Sequence, residues 1–361
     1  MTLARIKTGI VGCGKVAHLH AQALLGLEKA DFVGVQSRSP ERAKNFGGTY
    51  GVRAYGSVED LVRSGGAQLV LVCTPHPQHA DPALEALEAG AHVMVEKPLA
   101  SSVEDCDRMI RCARAHKRSL GMISQRRLYP PVRRMQKALA DGKIGEPALA
   151  VATLLGWRGK EYYASDGWRG SWSGEGGGVL LNQGSHLVDI LLWIMGPVSE
   201  VSGYAANVNH PYIEVEDTVV ASVSFVSGSV GSLVLSNSQK PGLYGKIAVF
   251  GRNGGSIGVQ TDGGDMFLPG QSGAVEPPRL DFWNVPGEEH LLEQWNAHDR
   301  MEFSSVDPTV HYHQLQIADF LDAIEHSRDP MVTGEEGKKS VEIIQTVYRL
   351  QRERTERASV L

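Results

Sequence analysis

The sequence predicts a two-domain α/β protein: an N-terminal Rossmann dinucleotide-binding domain with a doubly wound parallel sheet, then a C-terminal α/β domain with an open, mostly antiparallel sheet. Three observations predict it. In the first third, short apolar runs alternate with helical periodicity; a glycine-rich turn follows the first run; and beyond about Ser124 the chain changes to period-two alternation. The length of 361 residues fits two domains, each able to bury its own core. The expected division is 1–124 for the first domain and 125–361 for the second.

The strand candidates of the first domain are Ile6–Val11, 32–35, 69–73, His92–Val95 and 120–123. Helical spacing separates them at 16–25, at 81–89 and after Ser101, where Ser101 and Glu104 stand at the spacing of a capping box. In the second domain, Val219, Ala221, Val223 and Phe225 alternate with Ser222 and Ser224, and Leu233 and Leu235 resume the pattern after a turn at Gly228. A Gly- and Pro-rich stretch, 263–286, reads as a long loop. Two helices close the chain: Ile317, Phe320, Leu321 and Ile324 share one face, and Ile343, Ile344, Val347 and Leu350 share another.

Composition narrows the function. Hydrophobic residues are 42% and charged residues 21% of the chain, which excludes a disordered protein. With 36 Lys plus Arg against 41 Asp plus Glu, there is no basic excess to meet a phosphate backbone, so nucleic acid is not an expected partner. No apolar run approaches the roughly 20 residues of a membrane span, and the first ten residues lack a secretory pattern, so the expected location is cytoplasmic with no membrane partner. Cys13, Cys73, Cys106 and Cys112 form no CxxC pair and are expected to be reduced thiols. The HxH pairs His18/His20 and His311/His313 have no carboxylate or Cys at a metal-ligand spacing, so no metal is expected.

The first strand runs into Gly12-Cys13-Gly14-Lys15-Val16-Ala17, a GxGxxA turn opening a helix. Its glycines let backbone N–H groups approach a pyrophosphate, with Lys15 and Val16 in the first helical turn and the small Ala17 allowing close helix packing. About twenty residues on, where an NAD site usually carries a carboxylate, the chain has Gln36-Ser37-Arg38-Ser39. A hydroxyl beside a guanidinium suits a 2′-phosphate, so NADP is favoured and NAD remains possible. The strand 92–95 ends in Glu96-Lys97-Pro98, placing a lysine where parallel sheets bind ligands and where it can hold a substrate oxygen. Trp157-Arg158, Tyr162-Tyr163, Trp168-Arg169 and Trp172 then crowd a polar region before Gly176-Gly177-Gly178. Aromatic faces beside guanidiniums suit a polyhydroxylated ring, or else pack on the glycine turn or on another subunit.

These motifs together resemble the Gfo/Idh/MocA oxidoreductases, a family of glucose-fructose oxidoreductase, inositol dehydrogenase and other sugar dehydrogenases. The likeness rests on the GxGxxA turn, Cys73-Thr74-Pro75 with His79, AGAHVMVEKPLA, GGGVLLNQGSHLVDILLW, and the closing HQLQIADFLDAI and TGEEGKKSVEII. It implies that Thr74, Pro75, His79, Glu96 and Lys97 lie at the cofactor and that Lys97 and His186 are catalytic, with Asn182 where the family often has Asp. Asn182 and His186, four apart, are expected on one helical face, and Asp189 is expected either to orient the imidazole or to be solvated. Segments like Trp157, Arg158, Tyr163, Trp168 and Arg169 line the substrate pocket in relatives, and Arg127 with Tyr129 are further candidates. The resemblance implies an NAD(P)-dependent oxidoreductase acting on a sugar, glycoside or cyclitol, assembled as a homo-oligomer, a dimer or tetramer. An NAD-dependent glycoside hydrolase and a non-catalytic dinucleotide-binding regulator are the alternatives.

Overall fold

A computed structural model describes residues 5–263 and 276–358. Two compact units emerge: 1–125 with 308–341, and 126–307 with 342–361.

Unit 1 opens as a repeated strand–helix alternation: β1 (Ile6–Val11), α1 (Lys15–Leu25), β2 (Ala30–Gln36), α2 (Pro40–Tyr50), β3 (Arg53–Tyr55), α3 (Val58–Arg63), β4 (Leu69–Val72), α4 (Ala80–Ala89), β5 (His92–Val95), α5 (Val103–Ala115) and β6 (Leu120–Met122). The strands pair in parallel in the order β3-β2-β1-β4-β5-β6. That order places the topological switch point at the carboxyl ends of β1 and β4, where such sheets bind ligands. The strands are apolar because both sheet faces are covered: Val70, Val72 and Val95 pack with α4 and α5, while Ile10, Leu71 and Met94 pack with α1. β3 escapes sequence reading because it has only three residues, two of them exposed. The cap of α5 falls one residue beyond the expected Ser101: Ser102 has an extended backbone, and its Oγ accepts from Asp105 N at 3.1 Å.

Unit 2 begins with α6 (Pro130–Ala140), whose first turn tolerates Pro130 because a donor at that position would have no intrahelical partner, so the missing N–H costs nothing. It continues through β7 (Pro147–Leu155), α7 (Lys160–Ala164), α8 (Trp172–Glu175), α9 (Ser185–Met195), β8 (Val198–Ala206), β9 (Thr218–Phe225), β10 (Val230–Ser236), β11 (Tyr244–Gly251), β12 (Ser256–Asp262), β13 (Arg279–Asn284) and α10 (Leu292–Ser304). Its sheet, in the order β13-β12-β11-β7-β10-β9-β8, is antiparallel except for the β7–β10 pair. Alternate residues of these strands, among them Ala152, Val219, Leu233 and Ile247, face α9, whose Leu187, Ile190 and Leu191 are buried in the same core. The loop expected over 263–286 is corrected in part: 264–275 lie outside the described residues, whereas β13 pairs with β12 and buries Leu280 and Trp283. Pro277-Pro278 mask that strand in the sequence, since neither can donate to a ladder, but they precede its first residue.

The chain then returns to unit 1 with α11 (Pro308–His326). Ile317, Phe320 and Leu321 complete the core around Ile10, Leu71 and Met94, and the Gln316 amide accepts from Ser124 N and donates to Met122 O, each at 2.8 Å. The expected 125–361 domain differs from unit 2 at 308–341, which groups with unit 1. A helical stripe reveals that α11 buries a face, but not which sheet receives it. The last helix, α12 (Gly334–Ala358), gives Val341 to the unit 1 core and Ile344, Val347 and Tyr348 to the unit 2 core. Among the described residues no helix is long and apolar enough to cross a membrane.

Candidate active site

In unit 1 the turn after β1 is shaped for an anion. Gly12 has φ +95°, and a Cβ there would lie 2.8 Å from the backbone of Cys73, so the β1 turn meets the end of β4 only with glycine. Gly14 caps α1 without any side-chain hydrogen bond and has open space where its Cβ would stand. The first-turn N–H groups, including those of Lys15 and Val16, thus begin α1 at the switch point, in a turn that itself carries no acidic residue. This cradle fits the pyrophosphate of a dinucleotide. At the end of β2, Ser37 is half-buried and Arg38 exposed, one residue before Ser39 caps α2.

Thr74 and Pro75 follow β4 at the same end of the sheet. His79 is fully buried, with Nδ1 2.9 Å from Pro98 O and Nε2 2.8 Å from Thr74 O, so it braces these two turns from behind. Burial lowers its pKa. Lys97 is half-exposed after β5, joined to Pro98 by a cis peptide, and its backbone N donates to Glu96 Oε2 at 3.0 Å. The Glu96 carboxylate turns inward: Oε1 lies 2.6 Å from His20 Nε2 and 3.9 Å from His313 Nε2.

One member of each HxH pair therefore reaches Glu96, a carboxylate that sequence spacing did not reveal because it comes from β5 rather than α1 or α11. A separation of 2.6 Å is a charge-assisted hydrogen bond, shorter than the about 3.3 Å that two ligands of one tetrahedral zinc would keep. Burial opposes charge on His20, but Cys73 and Glu96 outweigh it and raise its pKa to about 10. Burial likewise opposes charge on Glu96, and His20 overcomes it, lowering that pKa to about 2. His313 is driven by burial, and then by His20, down to about 4.

In unit 2 the glycine run explains how the next site forms. A Cβ on Gly178 would stand within 1.8 Å of Glu216 O, so no side chain fits there. The buried Glu216 carboxylate accepts from Gly178 N at 2.8 Å, Leu180 N at 2.9 Å and Tyr348 Oη at 2.7 Å, anchoring the turn that leads into α9. Burial pushes its pKa up to about 7. Because α9 starts at Ser185 with Gly184 as cap, Asn182 sits in the preceding turn while His186 sits in the first helical turn. The expected shared helical face is thereby corrected. Both side chains are buried.

Asn182 Nδ2 donates to Glu175 Oε1 at 2.6 Å and to Tyr162 Oη at 3.1 Å, and Glu175 Oε2 accepts from Gly170 N at 2.6 Å. Around the Tyr162 ring the fold gathers Arg158 and Arg169, with guanidinium carbons 5.0 and 4.2 Å from its centroid, and Arg169 lies 4.4 Å over Trp168. Other candidates are placed elsewhere. Tyr163 is buried and accepts from Asn237 Nδ2 at 2.8 Å, and Trp157 packs 5.4 Å from His210. Arg127 forms a bidentate buried pair with Asp189 at 2.7 Å and lies 5.1 Å from the Trp193 ring. Asp189 is thus neither solvated nor spare. Sequence reasoning passed over Glu175 and preferred Tyr163 to Tyr162; the one available signal was that Glu175 immediately precedes the glycine run.

Strand order, glycine turn and uncapped helix define a dinucleotide-binding Rossmann protein with a second, sheet-based domain. Residues 6–124 match the GFO/IDH/MocA "Oxidoreductase family, NAD-binding Rossmann fold", and residues 132–257 match the GFO/IDH/MocA C-terminal domain. The chain belongs to the Gfo/Idh/MocA oxidoreductase family. It is 27% identical to 1,5-anhydro-D-fructose reductase of Ensifer adhaerens over 335 residues, 91% of either chain. Inositol 2-dehydrogenase of Rhizobium meliloti is 26% identical over 283 residues, 77% of this chain and 83% of that one. The WlbA dehydrogenase of Bordetella pertussis, solved with NADH and UDP-GlcNAcA, superposes with TM-score 0.85 at 27% identity, covering 98% of this chain and 97% of that one.

Proposed function

We propose that this protein is an NAD(P)-dependent dehydrogenase or reductase that transfers hydride between the nicotinamide and a secondary alcohol or ketone of a sugar, glycoside or cyclitol. The observation that carries the reading is the anion cradle at the β1/β4 switch point of a sheet whose neighbouring strand ends in Lys97. The sugar and inositol enzymes among its relatives support the substrate class. Gly12, Gly14, Lys15 and Val16 would hold the pyrophosphate, Thr74 and Pro75 the adjoining part of the cofactor, with His79 bracing them. Bound NAD(P) supplies the hydride acceptor or donor.

Lys97 is assigned to stabilise negative charge growing on the substrate oxygen, and His186 to remove the hydroxyl proton in the oxidative direction and return it in the reductive one. Asn182, Arg158, Trp168 and Arg169 are assigned to the ring's hydroxyls and faces. Trp157, Tyr163 and Arg127 are assigned to shaping that region from behind. Ser37 and Arg38 support NADP, whereas the NADH-bound WlbA likeness supports NAD. The reading includes a cytoplasmic homo-oligomer; exposed apolar residues on one face of the unit 2 sheet support the assembly. The hydrolase and regulator alternatives have no observation that favours them.

The test follows nicotinamide absorbance with NAD and NADP in parallel over sugars, glycosides, inositols and their keto forms. Steady turnover with one of these rings is expected, with Lys97→Ala and His186→Ala each lowering kcat by roughly 10² to 10⁴. Wild-type turnover in either variant overturns its assignment, and cofactor binding without turnover of any ring overturns the reading.

A further inference from the structure

The turn before α9 hangs on one residue. Glu216 Oε2 accepts from Gly178 N at 2.8 Å, while Oε1 accepts from Leu180 N at 2.9 Å and from Tyr348 Oη at 2.7 Å. The Glu216 carbonyl accepts from Val179 N at 3.0 Å, so three successive residues of the turn are bonded to it. The turn passes this constraint forward: Gly178 O accepts from Asn182 N at 2.9 Å, and Val179 O accepts at 2.7 Å from the N of Gly184, which caps α9 two residues before His186. The backbone has no room to close a lost bond by moving in, because a single carbon added to Gly178 would stand 1.8 Å from Glu216 O.

Both carboxylate oxygens face donors. A proton on Oε2 would meet the Gly178 N–H, and one on Oε1 would displace the Leu180 N–H or force the Tyr348 hydroxyl to turn away. The complete set of bonds therefore belongs to the ionised form. Glu216 is 3% exposed, and its burial outweighs the donors and pushes its pKa up to about 7, so both forms are populated near neutrality. The ionisable group packed against it is the Tyr348 phenol of α12, whose own pKa burial raises well above the usual value. Asp217, the next residue, turns instead to Val208 N, Asn209 N and His210, and Glu175 turns to Gly170 N and Asn182.

We infer that Glu216 is a positioning residue whose ionised carboxylate holds the turn that presents Asn182 and His186 to the bound ring, and that protonation of this one group slackens the turn. The inference rests on the proposed oxidoreductase site and deepens it, since Glu216 reaches the reaction only through the backbone of that turn. Activity that depends on Glu216 is present above about pH 7 and lost as pH falls through that value. In the reductive direction the demand on His186 has the opposite sign, because it must then carry the proton it returns, so that direction separates the two groups.

The experiment has two arms. The first follows the backbone amide signal of Asn182 by NMR in ¹⁵N-asparagine-labelled protein from pH 5.5 to 9, the signal being identified by its loss in Asn182→Ala. In wild type it is expected to shift with an inflection near pH 7. Glu216→Gln does not titrate, and whichever way its amide turns it sets an NH₂ against one of those N–H groups, so its Asn182 signal is expected to stay near the wild type's acid limit. Tyr348→Phe removes one donor to the carboxylate and is expected to move the inflection to higher pH, which keeps the test open should Glu216→Gln fail to fold. The second arm measures reduction of 2-keto-myo-inositol, 2-keto-D-glucose and the remaining keto forms of the panel above over the same range. Wild-type kcat is expected to fall on the acid side, and Glu216→Gln to show no acid limb, a kcat roughly 10- to 100-fold below wild type at pH 8 and an unchanged KM for the reduced nicotinamide. An Asn182 signal that titrates alike in wild type and Glu216→Gln, or that does not titrate in wild type, overturns the inference, as does wild-type kcat in Glu216→Gln. A wild type that shows the inflection, loses it in Glu216→Gln and reduces none of the rings supports the hold of Glu216 on the turn and overturns the oxidoreductase reading beneath it.

Discussion

An aspartate at position 182 would place a second carboxylate at hydrogen-bond distance from Glu175, where Asn182 now donates at 2.6 Å. Two buried carboxylates so close cannot both ionise, and one must keep a proton. The asparagine is thus matched to its neighbour rather than a lapse from the family's Asp. Asn182→Asp is expected to lower stability by about 1–3 kcal/mol at pH 8, since the donor to Glu175 is lost and a charge is buried against it. The shared proton gives the pair a folded-state pKa above its unfolded value, so the deficit shrinks as pH falls. Thermal melts at pH 8 and pH 5 read this, and an equal deficit at both values would defeat the explanation. Legibility at this scale was uneven. Lys97 and His186 stood out through their motifs, whereas Glu175 and Tyr162 acquired their meaning only when the turn before α9 brought Asn182 to them, 7 and 20 residues away.

Three segments meet behind Lys97: α1 brings His20, the turn after β5 brings Glu96 and α11 brings His313, with Cys73 from the end of β4 against His20. Spacing within any one element gave no hint of this, because the three side chains come from segments far apart in the chain. The pair has a defined pH window. Glu96, lowered to about 2 from 4.5, adds stability above pH 4.5 that is lost as pH falls toward 2. His20, raised to about 10 from 6.5, adds stability below pH 6.5 that is lost as pH rises toward 10. His20→Gln keeps an amide donor near Glu96 but does not titrate. The stability difference between wild type and this variant should therefore be largest between about pH 4.5 and 6.5 and decline above it. Chemical denaturation across pH 5–9 measures it, and a difference that stays constant would show that folding leaves the His20 pKa unshifted. The regular elements were easier to read. Long periodic strands such as β9 and β10 were legible, while β3 was too short and β13 hidden behind two prolines.

At the scale of the whole chain, the sequence separated the two kinds of sheet but not the path between them, since α11 carries an ordinary amphipathic stripe and its return to unit 1 depends on a core built from the first third of the chain. The same limit applies to the outer face of the unit 2 sheet, where alternation left apolar residues pointing away from α9. Tyr204 pairs with Val220 across β8 and β9, and Val230 pairs with Leu149 across β10 and β7, and all four are exposed. Val220 and Val230 are each 51% exposed, on adjacent strands whose inner-facing neighbours are fully packed. Exposed apolar pairs on one sheet face, here separated by Ser222, Ser224 and Ser232, suit a self-complementary contact with a second copy. Val220→Glu would place two like charges near the symmetry axis or one charge into an apolar contact, and either weakens association. Sedimentation velocity is expected to show the wild type as a dimer or tetramer and the variant shifted toward monomer, with its melting behaviour otherwise preserved because position 220 faces away from the core. A wild type that sediments as a monomer at micromolar concentration would leave this face without a partner and remove the homo-oligomer from the functional reading.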